Sequence, residues 1–228
     1  MYFSSPGSQL HAAACKGRRV LLSFATWSPW IDQYIPSFKS IMLDSGAFST
    51  LNSGVKISLP EYIEWVARYP FCDSWAGLDD ISGDFNASLT NYTHGGFPTY
   101  HTTDPPELLP QLISIAKQMP VNGNHWIGIG MLPPRTGFGT WLRETLEQLD
   151  DEPLHVHGWA LGSYLHEERL DSYDSTNWFR DAFQIRSKLP WLTYAEALDI
   201  SILRLERRQR IVEPDDAKQL SLLTTGTN

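Results

Sequence analysis

The chain has 228 residues and only two cysteines, Cys15 and Cys72. That scarcity excludes a disulfide framework and a Cys-x-x-Cys metal cluster. Positive charge is also in short supply. The formal net charge is −8, so the molecule repels nucleic acid at long range. A broad non-specific DNA or RNA interface is disfavoured, although a local basic groove is not. Long apolar runs are missing as well. The stretch "VLLSFA" (20–25) is too short for a signal-peptide core or a membrane span. No fixed-period repeat and no low-complexity tract is present. Together these absences predict a soluble, cytoplasmic protein with no membrane partner. The 42% hydrophobic and 19% charged content is that of a globular chain. Its length suits one domain, or one domain with an extension.

Short apolar runs of strand type alternate with longer helical patterns. The strand candidates are 1–5, 18–26, 40–45, 74–80, 97–103, 125–131, 154–162 and 170–176. Helical spacing covers 59–69, with Tyr62, Val66 and Tyr69, and 104–119, with Leu108, Leu112, Ile115 and Met119. It recurs over 140–151, with Leu142, Leu146 and Leu149, and over 177–189, which Pro190 ends. A last helix is read over 193–212, with Ala197, Ile200, Leu203 and Leu205 apolar, before a fraying tail. Regular alternation predicts parallel strands with crossover connections. Eight units point to an α/β fold, a compact (β/α)8 TIM-type barrel over 1–189, with 190–228 as a C-terminal helix and tail packed on it. A doubly wound open sheet is the alternative.

The stretch "IMLDSGAFSTLNSG" (41–54) places an acidic residue at the end of a hydrophobic strand, followed at once by small residues. Asp44 could simply cap the next turn. The other strand ends make it part of a set: Asp79 and Asp80, His101, Gly128 and Gly130, His157 and Gly158, Asp171 and Asp174. In a barrel these ends share one mouth, where chemistry sits. Converging carboxylates suit glycosyl transfer by double displacement, one attacking the anomeric carbon and another moving a proton. The pair His155 and His157, sharing a strand face, suits metal-assisted hydrolysis instead. A non-catalytic barrel that binds a purine or a partner protein is a third possibility.

The blocks "LDSGAFST" (43–50), "LDDISGD" (78–84) followed by Asn91, "PTYH" (98–101), "IGIGM" (127–131), "HVHG" (155–158) and "YDSTNW" (173–178) carry a resemblance. In order and spacing they resemble the tRNA-guanine transglycosylase superfamily, and within it the phage-type branch that inserts 7-deazaguanine bases into DNA. The resemblance implies a (β/α)8 barrel and a reaction that breaks a guanine N-glycosidic bond and installs a modified base, with no cofactor. It implies that Asp174 is the nucleophile that attacks C1′ and that Asp44 is the general acid/base. Asp79 would read the base edge, with Ser45, Gly46, His101, Gly130 and His157 lining the base pocket. A duplex target would first flip its guanine out. The partners implied are DNA, or else tRNA, and a base such as 7-cyano-7-deazaguanine; a phage-encoded enzyme would work in the host cytoplasm.

Two departures bear on the target. The tRNA-acting members carry a cysteine zinc subdomain after the nucleophile, and here no cysteine follows Cys72. That favours DNA or a free nucleoside over tRNA. The acidic balance leaves phosphate contact to "KGRR" (16–19) and to Arg204, Arg207 and Arg208 in "RLERRQR" (204–210), or to an accessory protein. Tyr100, Trp159, Tyr173 and Trp178 are candidates for stacking on a base.

Overall fold

The computed structural model describes residues 1–50, 55–130, 137–161 and 169–212, with side chains to 208. The strands are β1 (Tyr2–Ser4), β2 (Arg19–Ser23), β3 (Ser40–Asp44), β4 (Ser74–Trp75), β5 (Thr99–His101), β6 (Trp126–Gly130), β7 (His155–Trp159) and β8 (Ser172–Ser175). All eight fall inside the runs expected from the sequence. They form one curled, all-parallel sheet in the order β4-β3-β2-β1-β8-β7-β6-β5. This is an α/β architecture compatible with a TIM-like fold. Among the described residues no strand ladder joins the two edges, β4 and β5. A single parallel bridge, Ala76 to Phe97, spans them instead, with Phe97 N–H donating to the Trp75 carbonyl at 3.0 Å.

Eight α-helices lie among the described residues: α1 (Gln9–Ala14), α2 (Ala47–Thr50), α3 (Leu59–Ala67), α4 (Phe85–Tyr92), α5 (Leu108–Gln118), α6 (Phe138–Glu147), α7 (Asn177–Lys188) and α8 (Tyr194–Val212). Five of them match the apolar periodicities. The short α1, α2 and α4 do not rise from such a pattern. Caps secure two of them: Ser8 accepts from the His11 N–H, and Asp84 from the Ala87 N–H. α8 starts on a capping box, in which the Thr193 N–H reaches Glu196 at 2.7 Å and the Glu196 N–H reaches the Thr193 hydroxyl at 3.3 Å. Residues 24–37 connect β2 to β3 through three 3₁₀ turns.

Alternate strand residues face opposite sides of the sheet. On the convex side, Phe3, Val20, Leu22, Ile41 and Leu43 pack under α1, α3, α7 and α8, while Ile127, Ile129 and Val156 pack under α5 and α6. Each such fully buried aliphatic side chain contributes roughly 1.5–3 kcal/mol. Tyr2, Leu21, Met42, Ala76 and Phe97 form a separate cluster on the concave side, with Trp126 and Trp159 against it. Two helix faces differ in detail from the sequence reading. α5 buries Leu108, Leu109, Leu112 and Ala116, leaving Ile115 and Met119 half-buried. α8 buries Ala197, Leu198, Ile202 and Leu205, and Leu203 is exposed. α8 rests on α7 and α1, tied by Tyr194 to His11 and by Glu206 to Arg18. The expected tail after 212, Met131 at the end of the sixth run and Gly162 at the end of the seventh lie outside the described residues.

Candidate active site

The concave side turns polar toward the carboxyl ends of the strands. Strand parity places Ser4, Ser23, Asp44, His101, Gly130, Trp159 and Asp174 on the same side as the Tyr2–Phe97 cluster. Serines, carboxylates and a histidine replace the aromatic and aliphatic layer found deeper in the strands. That substitution is poor for packing.

Asp174 is buried, and each of its oxygens accepts one hydrogen bond. Its Oδ2 accepts from the Ser4 hydroxyl at 2.5 Å, and its Oδ1 accepts from the Ala160 N–H at 2.7 Å. His157 Nε2 lies 3.7 Å from Oδ1. Burial alone would raise the pKa of this carboxyl. The histidine, the hydroxyl and the peptide N–H together outweigh burial and hold it below the ordinary aspartate value. Asp174 is therefore an anchored, ionised carboxylate at neutral pH. Each oxygen still has a lone pair free for a reacting carbon.

Asp44 has the opposite character. One peptide N–H, that of Gly46, reaches its Oδ2 at 3.0 Å. Burial, together with the charges of Asp79 and Asp174, pushes its pKa up to about 7, against the opposing pull of Gly46 and Ser23. Gly46 turns there at φ 77°, and a Cβ on it would run into Ser23 and Ala25. Only glycine lets the chain turn so closely beneath the carboxylate. Ser45 is buried, with its hydroxyl accepting from the Ala47 N–H, so its side chain caps the turn after β3.

Across the mouth, Asp79 Oδ2 pairs with His101 Nε2 at 2.7 Å, and the His101 N–H donates to Asp104 at 2.7 Å. Burial works to lower the His101 pKa, but the bond and charge of Asp79, with Asp104, raise it above the ordinary value. That direction favours a protonated His101 ring beside Asp79. Gly130 leaves room for it, since a Cβ there would stand 2.7 Å from His101 Nδ1.

The structure thus brings Asp44, Ser45, Gly46, Asp79, His101, Gly130 and Asp174 to one end of the sheet, with Asp44 feeling the charges of both Asp79 and Asp174. His157 lies deeper. It is wholly buried and bonded to the Ser172 hydroxyl at 2.8 Å, so it stands beneath Asp174. Other candidates are placed elsewhere. His155 and Asp171 pair at 3.4 Å at the amino ends of β7 and β8, the side away from Asp174. Among the described residues no three His, Cys, Asp or Glu side chains gather as a metal site would need. Tyr100, Tyr173 and Trp178 pack into the sheet–helix core, Tyr100 stacked on Trp141. Trp159 alone of the four faces the concave side, stacked on Phe97 and bonded to Thr99. Arg204, Arg207 and Arg208 are exposed on α8, around a Glu206 that grips Arg18 just ahead of β2. They do not join the carboxylates.

Five participants escaped the sequence reading: Ser4, Ser23, Asp104, Ala160 and Ser172. The serines carry a usable signal, a hydroxyl at the buried parity of a strand. Ala160 carries none. No protein-family model, curated protein or solved structure matches this chain.

Proposed function

We propose that this protein is a base-exchanging glycosyltransferase of the tRNA-guanine transglycosylase type, acting on guanine in DNA. The observation that carries the reading is the division between two carboxylates at one strand-end site. Asp174 is pinned and ionised, and Asp44 is balanced near neutrality. A double displacement needs that pair: a nucleophile that stays charged and a partner that gives and takes a proton at working pH.

In this reading an Asp174 oxygen attacks C1′ of the guanine nucleotide. The C1′–N9 bond breaks with its electron pair on the base, and protonated Asp44 supplies the proton that the leaving guanine needs. The incoming 7-deazaguanine gives its N9 proton to Asp44, its nitrogen attacks C1′, and the ester to Asp174 is released. The Asp79–His101 couple, beside Gly130, meets the hydrogen-bonding edge of the base. Two proton transfers through one group explain why its pKa must lie near the working pH.

A second reading keeps the chemistry and changes the acceptor to a free nucleoside. It is favoured by charge placement, because the mouth gathers carboxylates while Arg204, Arg207 and Arg208 cluster by Arg18 at the other end of the strands.

The test is exchange of radiolabelled guanine and 7-cyano-7-deazaguanine into DNA, tRNA and free guanine nucleosides, with wild type and Asp174→Asn. Wild-type labelling of DNA, absent in Asp174→Asn, is the expected result. Labelling of nucleosides alone selects the second reading. No label in any acceptor, or full activity in Asp174→Asn, overturns the proposal.

A further inference from the structure

We propose that Ser172 and His157 form a buried relay that orients the Asp174 carboxylate and holds its charge, making His157 a positioning residue and not part of the base pocket. The inference rests on Asp174 being the nucleophile. Its structural basis stands apart from any substrate.

His157 on β7 and Ser172 on β8 are register partners, and the hydroxyl sits 2.8 Å from the imidazole Nδ1. The ring has no solvent exposure and lies among Tyr2, Phe97 and Trp159, with centroids at 6.0, 6.3 and 4.4 Å. Burying a polar ring in an aromatic enclosure is costly unless both nitrogens find partners. Nδ1 has Ser172. Nε2 makes no hydrogen bond as it stands and faces Asp174 Oδ1 at 3.7 Å. At that distance the contact is electrostatic, a ring nitrogen directed at a carboxylate oxygen.

The tautomer follows from electrostatics. If Ser172 accepted from Nδ1–H, the Nε2 lone pair would face a carboxylate, and the two would repel. If Ser172 donates to Nδ1, the ring proton sits on Nε2 and points at Oδ1. Burial outweighs the pull of Asp174 and lowers the His157 pKa. The ring is then a neutral donor at neutral pH. A neutral N–H steers the carboxylate without tying it into an ion pair, which would blunt its attack on carbon.

The test is a ¹³C titration of Asp carboxyls by NMR. Asp174 is assigned by loss of its signal in Asp174→Asn. The groups facing it are His157 from β7, Ser4 from β1, the Ala160 N–H and, through its charge, Asp44 from β3. The titration therefore runs in an Asp44→Asn background. His157→Phe should move the Asp174 midpoint up by about one pH unit or more, with Ser172→Ala smaller in the same direction. His157→Gln, which keeps an N–H donor, should restore most of it. In the otherwise native enzyme, the acid limb of covalent-intermediate formation should follow the same order. An unmoved midpoint in folded His157→Phe, or in Ser172→Ala if the former does not fold, overturns the relay. A moved midpoint in a protein that exchanges no base upholds the relay and overturns the enzymatic reading.

Discussion

Ala160 holds its backbone at φ 56° and donates its N–H to Asp174 Oδ1 at 2.7 Å. A non-glycine residue in the left-handed region costs about 1–2 kcal/mol, and here it directs a peptide dipole at a carboxylate. Glycine would take the same conformation without the Cβ penalty, though with more freedom to lose on folding. Ala160→Gly should therefore raise stability by up to about 1 kcal/mol in a urea melt, with Asp174 still charged. A loss of stability would mean that the conformation is not strained.

The raised pKa of Asp44 gives a pH signature. Its folded value is about 7, far above the ordinary aspartate value of 3.8. Between those values the folded state binds more protons than the unfolded state, so stability falls as pH rises. Above 7 the ionised carboxylate is a standing cost, on the order of 1–4 kcal/mol. Asp44→Asn should match wild type near pH 4 and gain on it steadily up to pH 7, with no further gain beyond. Asp174, with its lowered pKa, acts in the reverse sense and loses its contribution only in acid, as pH falls through its folded value. Urea melts from pH 4 to 8 on both proteins check this. A difference that does not change with pH would place the Asp44 pKa at its ordinary value.

The eight strands were legible because parallel strands buried on both sides read as short apolar runs between turn residues. Asp44 and Asp174 stood out for the complementary reason, as charge where packing wants hydrocarbon. The short α1 and α4 were hidden because six and eight residues hold too few turns to print a periodicity, and their Ser8 and Asp84 caps look like loop residues. His155 and His157 share a strand face, yet two residues of rise separate a ring at the open amino end from one sealed under Asp174. Strand periodicity gives the face and not the depth. Asp171 was misjudged for a related reason. It precedes β8, where it accepts from the Val156 N–H at 2.7 Å and pairs with Arg169, so it serves the amino ends of the strands.

The same issue of depth decides the role of the basic run on α8. Glu206 bonds Arg18 at 2.7 Å, and the Arg18 carbonyl accepts from the Lys39 N–H just ahead of β3. Both contacts lie at the amino ends of β2 and β3, whose carboxyl ends carry Ser23 and Asp44, and five strand residues span roughly 16 Å. Arg204, Arg207 and Arg208 stand within about one turn of Glu206 and reach into solvent at that far end. A phosphate backbone threaded past the carboxylates would not meet them. Replacing all three by alanine should leave base exchange unchanged and stability within about 0.5 kcal/mol of wild type, as for other exposed charges. If DNA is the acceptor, the salt dependence of its binding should also be unchanged, because each lost phosphate contact would flatten the slope of log K against log salt by about one. A flattened slope with intact folding would bring α8 into the nucleic-acid path and remove the charge argument that favours a free nucleoside.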